Sequence, residues 1–258
     1  MGKVKMKRKS TRIDMTAMSD VTVLLLTFFM LTSTFLQKEP ATVVTPSSVS
    51  EIKVPMTNVS TVLVSPEGNV FVGVTGEADM TIADGKWATD SIRREIFVNA
   101  INNYERFTGK SLNLTGFEKQ QAIEQFAKMN MFGVPFDRIP EFFRLKSSDQ
   151  EDWLAGKGLG KGTLANVRPS DVGIPMTDIT YRDEEGNLNT TNEFQIWMRA
   201  IYNSGNENLQ NAMRKGEGIA VKADHSTRYD VVHNVLDNLQ TIKYNRFTVM
   251  TALKTNED

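Results

Sequence analysis

The hydrophobic pattern changes character several times along this chain. From Met15 to Leu36 it reads MTAMSDVTVLLLTFFMLTSTFL, apolar on every side and interrupted by a single charge, Asp20. As a helix this stretch is ~33 Å long, enough to cross a hydrocarbon core of ~30 Å, so the pattern predicts a transmembrane helix over 15–36. Residues 37–50 are rich in Thr, Ser and Pro, show no period and read as an extended linker. Glu51-Ile52-Lys53-Val54-Pro55 then alternates like a short edge strand, where a proline is tolerated. Ser60 to Val64 and Val70 to Val74 are β-branched runs joined by Ser65-Pro66-Glu67-Gly68-Asn69, a turn sequence that predicts a hairpin.

Beyond the hairpin the period becomes helical. Ile92, Ile96, Phe97, Ala100, Ile101 and Tyr104 share one face, and Thr115-Gly116-Phe117-Glu118 is a capping box opening a helix with Ile123, Phe126, Ala127 and Met131 inward. Phe132-Gly133-Val134-Pro135 and Ile139-Pro140 read as its end, and Phe142-Phe143 as a third short helix. Trp153 to Arg168 reads as a glycine-rich loop. Thr190-Thr191-Asn192-Glu193 is read as another capping box, followed by Phe194, Trp197, Met198 and Ile201 at helical spacing. A strand over 218–223, a helix over 228–240 with Tyr229, Val232, Leu236 and Leu239 on one stripe, and a strand over 246–252 close the chain. Strand, helix and strand in this order imply a parallel, right-handed crossover. The expected fold is α+β, a membrane helix followed by a sheet with two helices.

Composition narrows the chemistry. The chain has no cysteine, which removes disulfides, thiolate nucleophiles, lipid-modified anchors and cysteine metal sites, and its two histidines leave little for a metal cage. Of 30 basic and 31 acidic residues, six basic ones precede the first acid, Asp14, leaving 24 against 31 in the remainder. That remainder is acidic, which argues against nucleic acid as a partner. The basic tip, residues 1–14, places the N-terminus in the cytoplasm by the positive-inside rule. The alternative for residues 1–36 is a cleaved signal peptide releasing a secreted binding protein. Against it, the apolar run is long, begins with an aspartate and offers only Thr32-Ser33-Thr34 as a small-residue cleavage site.

Asp20 is the most informative position. An ionised carboxylate inside a bilayer costs ~2.5–3.5 kcal/mol even on lenient insertion scales, so it should face protein or water rather than lipid. Thr27 and Thr34 follow at intervals of seven residues, forming with Asp20 a gently spiralling polar stripe, while Leu25, Phe29 and Leu36 point the other way. A carboxyl group in low dielectric favours its neutral form and can load and unload a proton as its access to water changes. Asp20 is therefore a candidate proton-responsive group, with snorkelling at the cytoplasmic interface as the plainer reading.

The run Arg12-Ile13-Asp14-Met15-Thr16-Ala17-Met18-Ser19-Asp20-Val21, followed by LLLTFFMLTS, resembles the N-terminal signature of the ExbD/TolR family, with Ala17 where that family usually has proline. Gly218 to Asp224, then Tyr229, Val232 and Leu236, then Phe247 to Thr251 resemble its closing strand, helix and strand. The resemblance implies a bacterial inner-membrane protein with one span and a periplasmic domain over 51–258, interrupted by a mainly helical insertion at about 77–188. It further implies an ExbB-like ring partner, a TonB-like protein, a homodimer and no cofactor or catalysis, with peptidoglycan as a further candidate contact. The function implied is a motor subunit driven by the proton-motive force that energises TonB-dependent outer-membrane transport. A TolR-like role in envelope integrity, or a motility motor, shares the same helix.

Two other signals carry less. Gly156-Lys157-Gly158-Leu159-Gly160-Lys161-Gly162-Thr163 lacks a preceding strand and the G-x-x-x-x-G-K-[ST] spacing of a nucleotide loop. Asp224, His225 and Ser226 are adjacent residues, which cannot adopt a hydrolase relay, so they and His233 read as solvated surface. A periplasmic enzyme would need convergent polar groups that the sequence does not display.

Overall fold

A computed structural model describes residues 15–32, 39–48, 55, 57–77, 88–183 and 185–253. The chain forms two compact units, residues 1–38 and 39–258. The first contains α1 (Met15–Thr32), an 18-residue helix. Among the described residues no helix is long and apolar enough to cross a membrane. At ~1.5 Å per residue α1 spans ~27 Å, and residues 33–36 of the expected span, Thr34 and Leu36 among them, lie outside the described residues.

The second unit is α+β. Its chain order is β1 (Ser47–Ser48), β2 (Val59–Val64), β3 (Val70–Thr75), α2 (Thr89–Thr108), α3 (Gly116–Lys128), α4 (Ile139–Arg144), α5 (Ser147–Leu154), β4 (Ile179–Arg182) and β5 (Leu188–Thr191), then α6 (Glu193–Tyr202), α7 (Glu207–Lys215), β6 (Ile219–Ala223), α8 (Tyr229–Thr241), β7 (Thr248–Val249) and β8 (Ala252–Leu253). The main sheet runs β3-β2-β6-β7. Strands β2 and β3 form the expected antiparallel hairpin, with Gly68 at φ +87° in its turn, and β6 pairs parallel with both β2 and β7. The expected edge strand falls mostly outside the described residues, at 51–54, and Pro55 lies in no strand.

Segment 88–174 covers one face of this sheet with aromatic side chains. Phe97, Phe126, Phe132, Phe136, Phe142, Phe143 and Trp153 are buried there, and Trp197 of α6 stacks on Phe126 and Phe136 at ring distances of 5.4 and 5.2 Å. One hydrophobic core therefore joins this helical segment to β2, β3, β6, α6 and α8. Arg93, on the inner face of α2, is buried and donates to Val74 O, Ala127 O and Asn130 Oδ1, tying α2 to β3 and α3; burial pulls its proton affinity down. Along the free side of β3, Phe132 exchanges two backbone hydrogen bonds with Val72, and Ile174 N–H donates to Val70 O. A Cβ on Gly133 would run into the Phe71 ring, so this crossing needs glycine.

The structure corrects several local expectations. Helix α3 ends at Lys128, and Ile139-Pro140 begins α4 instead of ending a helix, because proline is tolerated in a first turn where no N–H partner is needed. Trp153 and Leu154 close α5, so the glycine-rich loop starts later. Thr191 belongs to β5, and Asn192 caps α6 by accepting from Gln195 N–H, leaving the Glu193 carboxylate free for another donor. In α8 the inward side chains are Val235, Asn238 and Leu239, while Tyr229 is 78% exposed. The closing strand splits in two, since Ala252-Leu253 leaves the main sheet and pairs parallel with Ser47-Ser48.

Candidate functional site

On α1, Asp20 and Thr27 lie two turns apart on one side of the helix, ~10 Å along its axis, and Asp20 is exposed. The Thr27 hydroxyl donates to Leu24 O at 2.9 Å and keeps its oxygen lone pairs to offer outward. Thr22 and Thr32 likewise donate to carbonyls one turn back. These bonds let hydroxyls sit on a helix in apolar surroundings without unsatisfied donors. Around them Val21, Val23, Leu24, Leu25, Leu26, Phe28, Phe29, Met30 and Leu31 are all more than half exposed. Thr34 lies outside the described residues, so the third position of the stripe carries no geometry.

In the second unit, Asp224 forms a hub and is not solvated surface. It is buried, and its Oδ1 accepts from the Ser226 hydroxyl at 2.6 Å and Ser226 N–H at 2.8 Å, while Oδ2 accepts from Val44 N–H at 2.7 Å. The Ser226 hydroxyl bond, then the two N–H donors, hold its carboxyl down to about 2. His225 N–H donates back to Val44 O, and Lys222 Nζ reaches Glu39 at 2.6 Å. The stretch 39–48 is thus fastened along the end of β6, with Ala41 and Val43 against the core. An Asx turn at Asp224-His225-Ser226 was legible from residue types; its long-range donor, 180 positions away, was not.

The start of α6 holds a second carboxylate. Glu193 is buried and accepts Phe136 N–H at 2.9 Å, and beside it Tyr104 donates to Asp137 at 2.7 Å. Burial pushes Glu193 up to about 7, against the opposing pull of the Phe136 N–H. Burial, then the Asp137 contact, raises the Tyr104 hydroxyl above its ordinary value.

The remaining candidates stay apart. The Ser226 hydroxyl bonds Asp224 directly while His225 Nδ1 sits 3.2 Å from the same oxygen, so no Ser-His-Asp relay forms. His233 stacks on Tyr229 and lies 3.4 Å from Asp237. Helix α5, not a strand, precedes the glycine-rich loop. Among the described residues no group of three or more His, Cys, Asp or Glu could hold a metal ion.

Residues 6–127 match the family model for biopolymer transport protein ExbD/TolR. Over this span the chain is similar to the ExbD/TolR family. The ExbD/TolR family is membrane-associated and its proteins serve biopolymer transport. Asp20, Thr27 and Thr34 all lie inside the ExbD/TolR span, as do the β2–β3 hairpin and α2; β6, α8 and β7 lie outside it. Neither a curated protein nor a solved structure gives a match.

Proposed function

We propose that this chain is a single-pass inner-membrane motor subunit of ExbD type, with the N-terminus cytoplasmic and residues 39–258 in the periplasm. Working with an ExbB-like ring and a TonB-like protein, and as a homodimer, it couples proton flow to outer-membrane transport. The run Met15–Leu36 spans the bilayer, Asp20 takes up and releases the proton, and the side bearing Thr27 and Thr34 faces the ring. One observation carries this reading: an ExbD/TolR-matched segment places a lone carboxylate on a helix whose apolar side chains are exposed all round. Such a helix needs lipid or protein to cover it. The energy scale is adequate, because one charge falling through 100 mV releases ~2.3 kcal/mol, close to the cost of exposing that carboxylate to an apolar wall. No covalent step is required of any residue.

Asp20→Asn is expected to abolish energised uptake at unchanged abundance, with the soluble unit still folded by circular dichroism. Uptake at the natural rate in that variant would remove the mechanism. Purification in mild detergent is expected to bring down a polytopic ring protein.

A further inference from the structure

Outside these sites, Arg93 and Arg182 are engaged by backbone carbonyls, and other arginines of the second unit differ in whether a carboxylate meets them. Arg94, Arg138, Arg144, Arg168 and Arg228 each meet a carboxylate within 4 Å: Glu124, Asp171, Glu118, Asp171 and Asp230 respectively. Arg199, Arg214 and Arg246 meet none among the described residues, and they gather in one place. Arg214 Nε donates to Tyr202 Oη at 2.7 Å with its guanidinium 5.7 Å from that ring's centre. Tyr202 packs on Tyr244 at 5.4 Å, and the charge of Arg199 acts on the Tyr244 hydroxyl. The Arg246 stem lies over Gly216, beside Lys215 and close to where α7 ends.

The patch is rich in donors and poor in acceptors. The outer nitrogens of Arg214, the guanidinium groups of Arg199 and Arg246 and the hydroxyl hydrogens of both tyrosines have no acceptor among the described residues, while the only acceptor engaged is Tyr202 Oη. Helix polarity accounts for part of this, since Arg199, Arg214 and Lys215 occupy last turns, where cations offset the negative helix end. It does not account for Arg246, which precedes β7, nor for the Tyr202 hydroxyl that holds Arg214 over its ring. Arginine and tyrosine at the centre of a small patch is the composition of protein-binding hot spots. Forked guanidinium groups match carboxylates in paired hydrogen bonds.

We infer that the Tyr202–Tyr244 pair with Arg199, Arg214 and Arg246 forms a docking surface for an acidic peptide segment of a partner protein. Carboxylates of the segment meet the guanidinium groups, and apolar side chains between them lie on the tyrosine rings. The acidic remainder of the chain, 24 basic against 31 acidic residues, repels extended polyanions and favours a short segment over a nucleic acid or an anionic bilayer. The inference does not depend on proton transfer at Asp20.

The test uses the full chain in a neutral detergent with a short fluorescein-labelled peptide alternating glutamate and leucine, followed by anisotropy. The natural chain is expected to bind it, to prefer it over the glutamine counterpart, and to lose affinity with added salt. Arg214→Ala combined with Arg246→Ala weakens binding about tenfold. Tyr202→Phe, which frees Arg214 but keeps the ring, weakens it about threefold. Arg168→Ala, a paired and exposed arginine elsewhere, leaves it unchanged. Should the double variant misfold by circular dichroism, Arg246→Ala alone, at an exposed side chain with no partner, gives a weakening of about threefold. Equal binding of the glutamine peptide, undiminished binding by these variants, or capture of anionic vesicles through the same arginines without peptide binding overturns the inference.

Discussion

Helices α1 and α2 have nearly the same length, 18 and 20 residues, and opposite relations to their surroundings. Along α2 the apolar positions Ile92, Ile96, Phe97, Ala100, Ile101 and Tyr104 recur on one face and are buried, while the outer face is polar. Along α1 the apolar residues occupy every side and stay exposed, and the polar residues include Asp20 and Thr22, Thr27 and Thr32, whose hydroxyls bond the helix's own carbonyls. The difference is one of patterning: α2 has one apolar face to bury and one polar face for water, while α1 has no continuous polar face.

That contrast can be broken from either side. Trp197→Ala, which removes the indole stacked on Phe126 and Phe136, is expected to destabilise the second unit by about 3–5 kcal/mol and to leave membrane association through α1 intact. Urea unfolding and membrane fractionation would separate the two outcomes. Leu25→Arg should do the reverse, costing insertion about 2.5–3.5 kcal/mol while the unfolding midpoint of the second unit stays put.

Smaller effects sharpen the electrostatic side. The Glu193 carboxyl has a folded value raised to about 7 from an ordinary value near 4.5, so the fold favours its neutral form. Its contribution is fullest below pH 4.5 and is lost as pH rises through about 7. Glu193→Gln, which keeps an acceptor for Phe136 N–H, should flatten the melting profile over that window and raise stability at pH 8 by on the order of 2 kcal/mol. Asp224 has the opposite sign. Its carboxyl is held down to about 2, so its contribution is present above pH 4 and fades as pH falls towards 2. Asp224→Asn should lower the melting temperature at neutral pH, with the difference from the natural chain shrinking as pH falls towards 2, and should speed amide exchange of Val44, whose N–H loses its charged acceptor.

The sequence disclosed what depends on local repeats. The hairpin with Gly68, the inner face of α2 and the Thr115–Glu118 capping box at the start of α3 all follow from spacing and side-chain type, and the structure has each of them. Asp20 stands out in the sequence because an isolated charge in an apolar run is visible without a fold. Distance along the chain hid the rest. Nothing near Glu193 announces that Phe136 N–H will be its donor, and nothing near Asp224 announces Val44. The spacing of Tyr229 fits the inward stripe, but a first-turn aromatic with a neighbouring imidazole to stack on can face water at little cost. Helix α7 went unread because only Leu209 and Met213 turn inward along its nine residues.

The covering of β3 has a consequence for assembly. Among the described residues, with Phe132 and Ile174 occupying the free flank of β3, the main sheet has room to lengthen only beyond β7, which is two residues long. Copies that joined by adding strand to strand would therefore meet face to face through the same rim, and such a union closes at two instead of running on into a fibre.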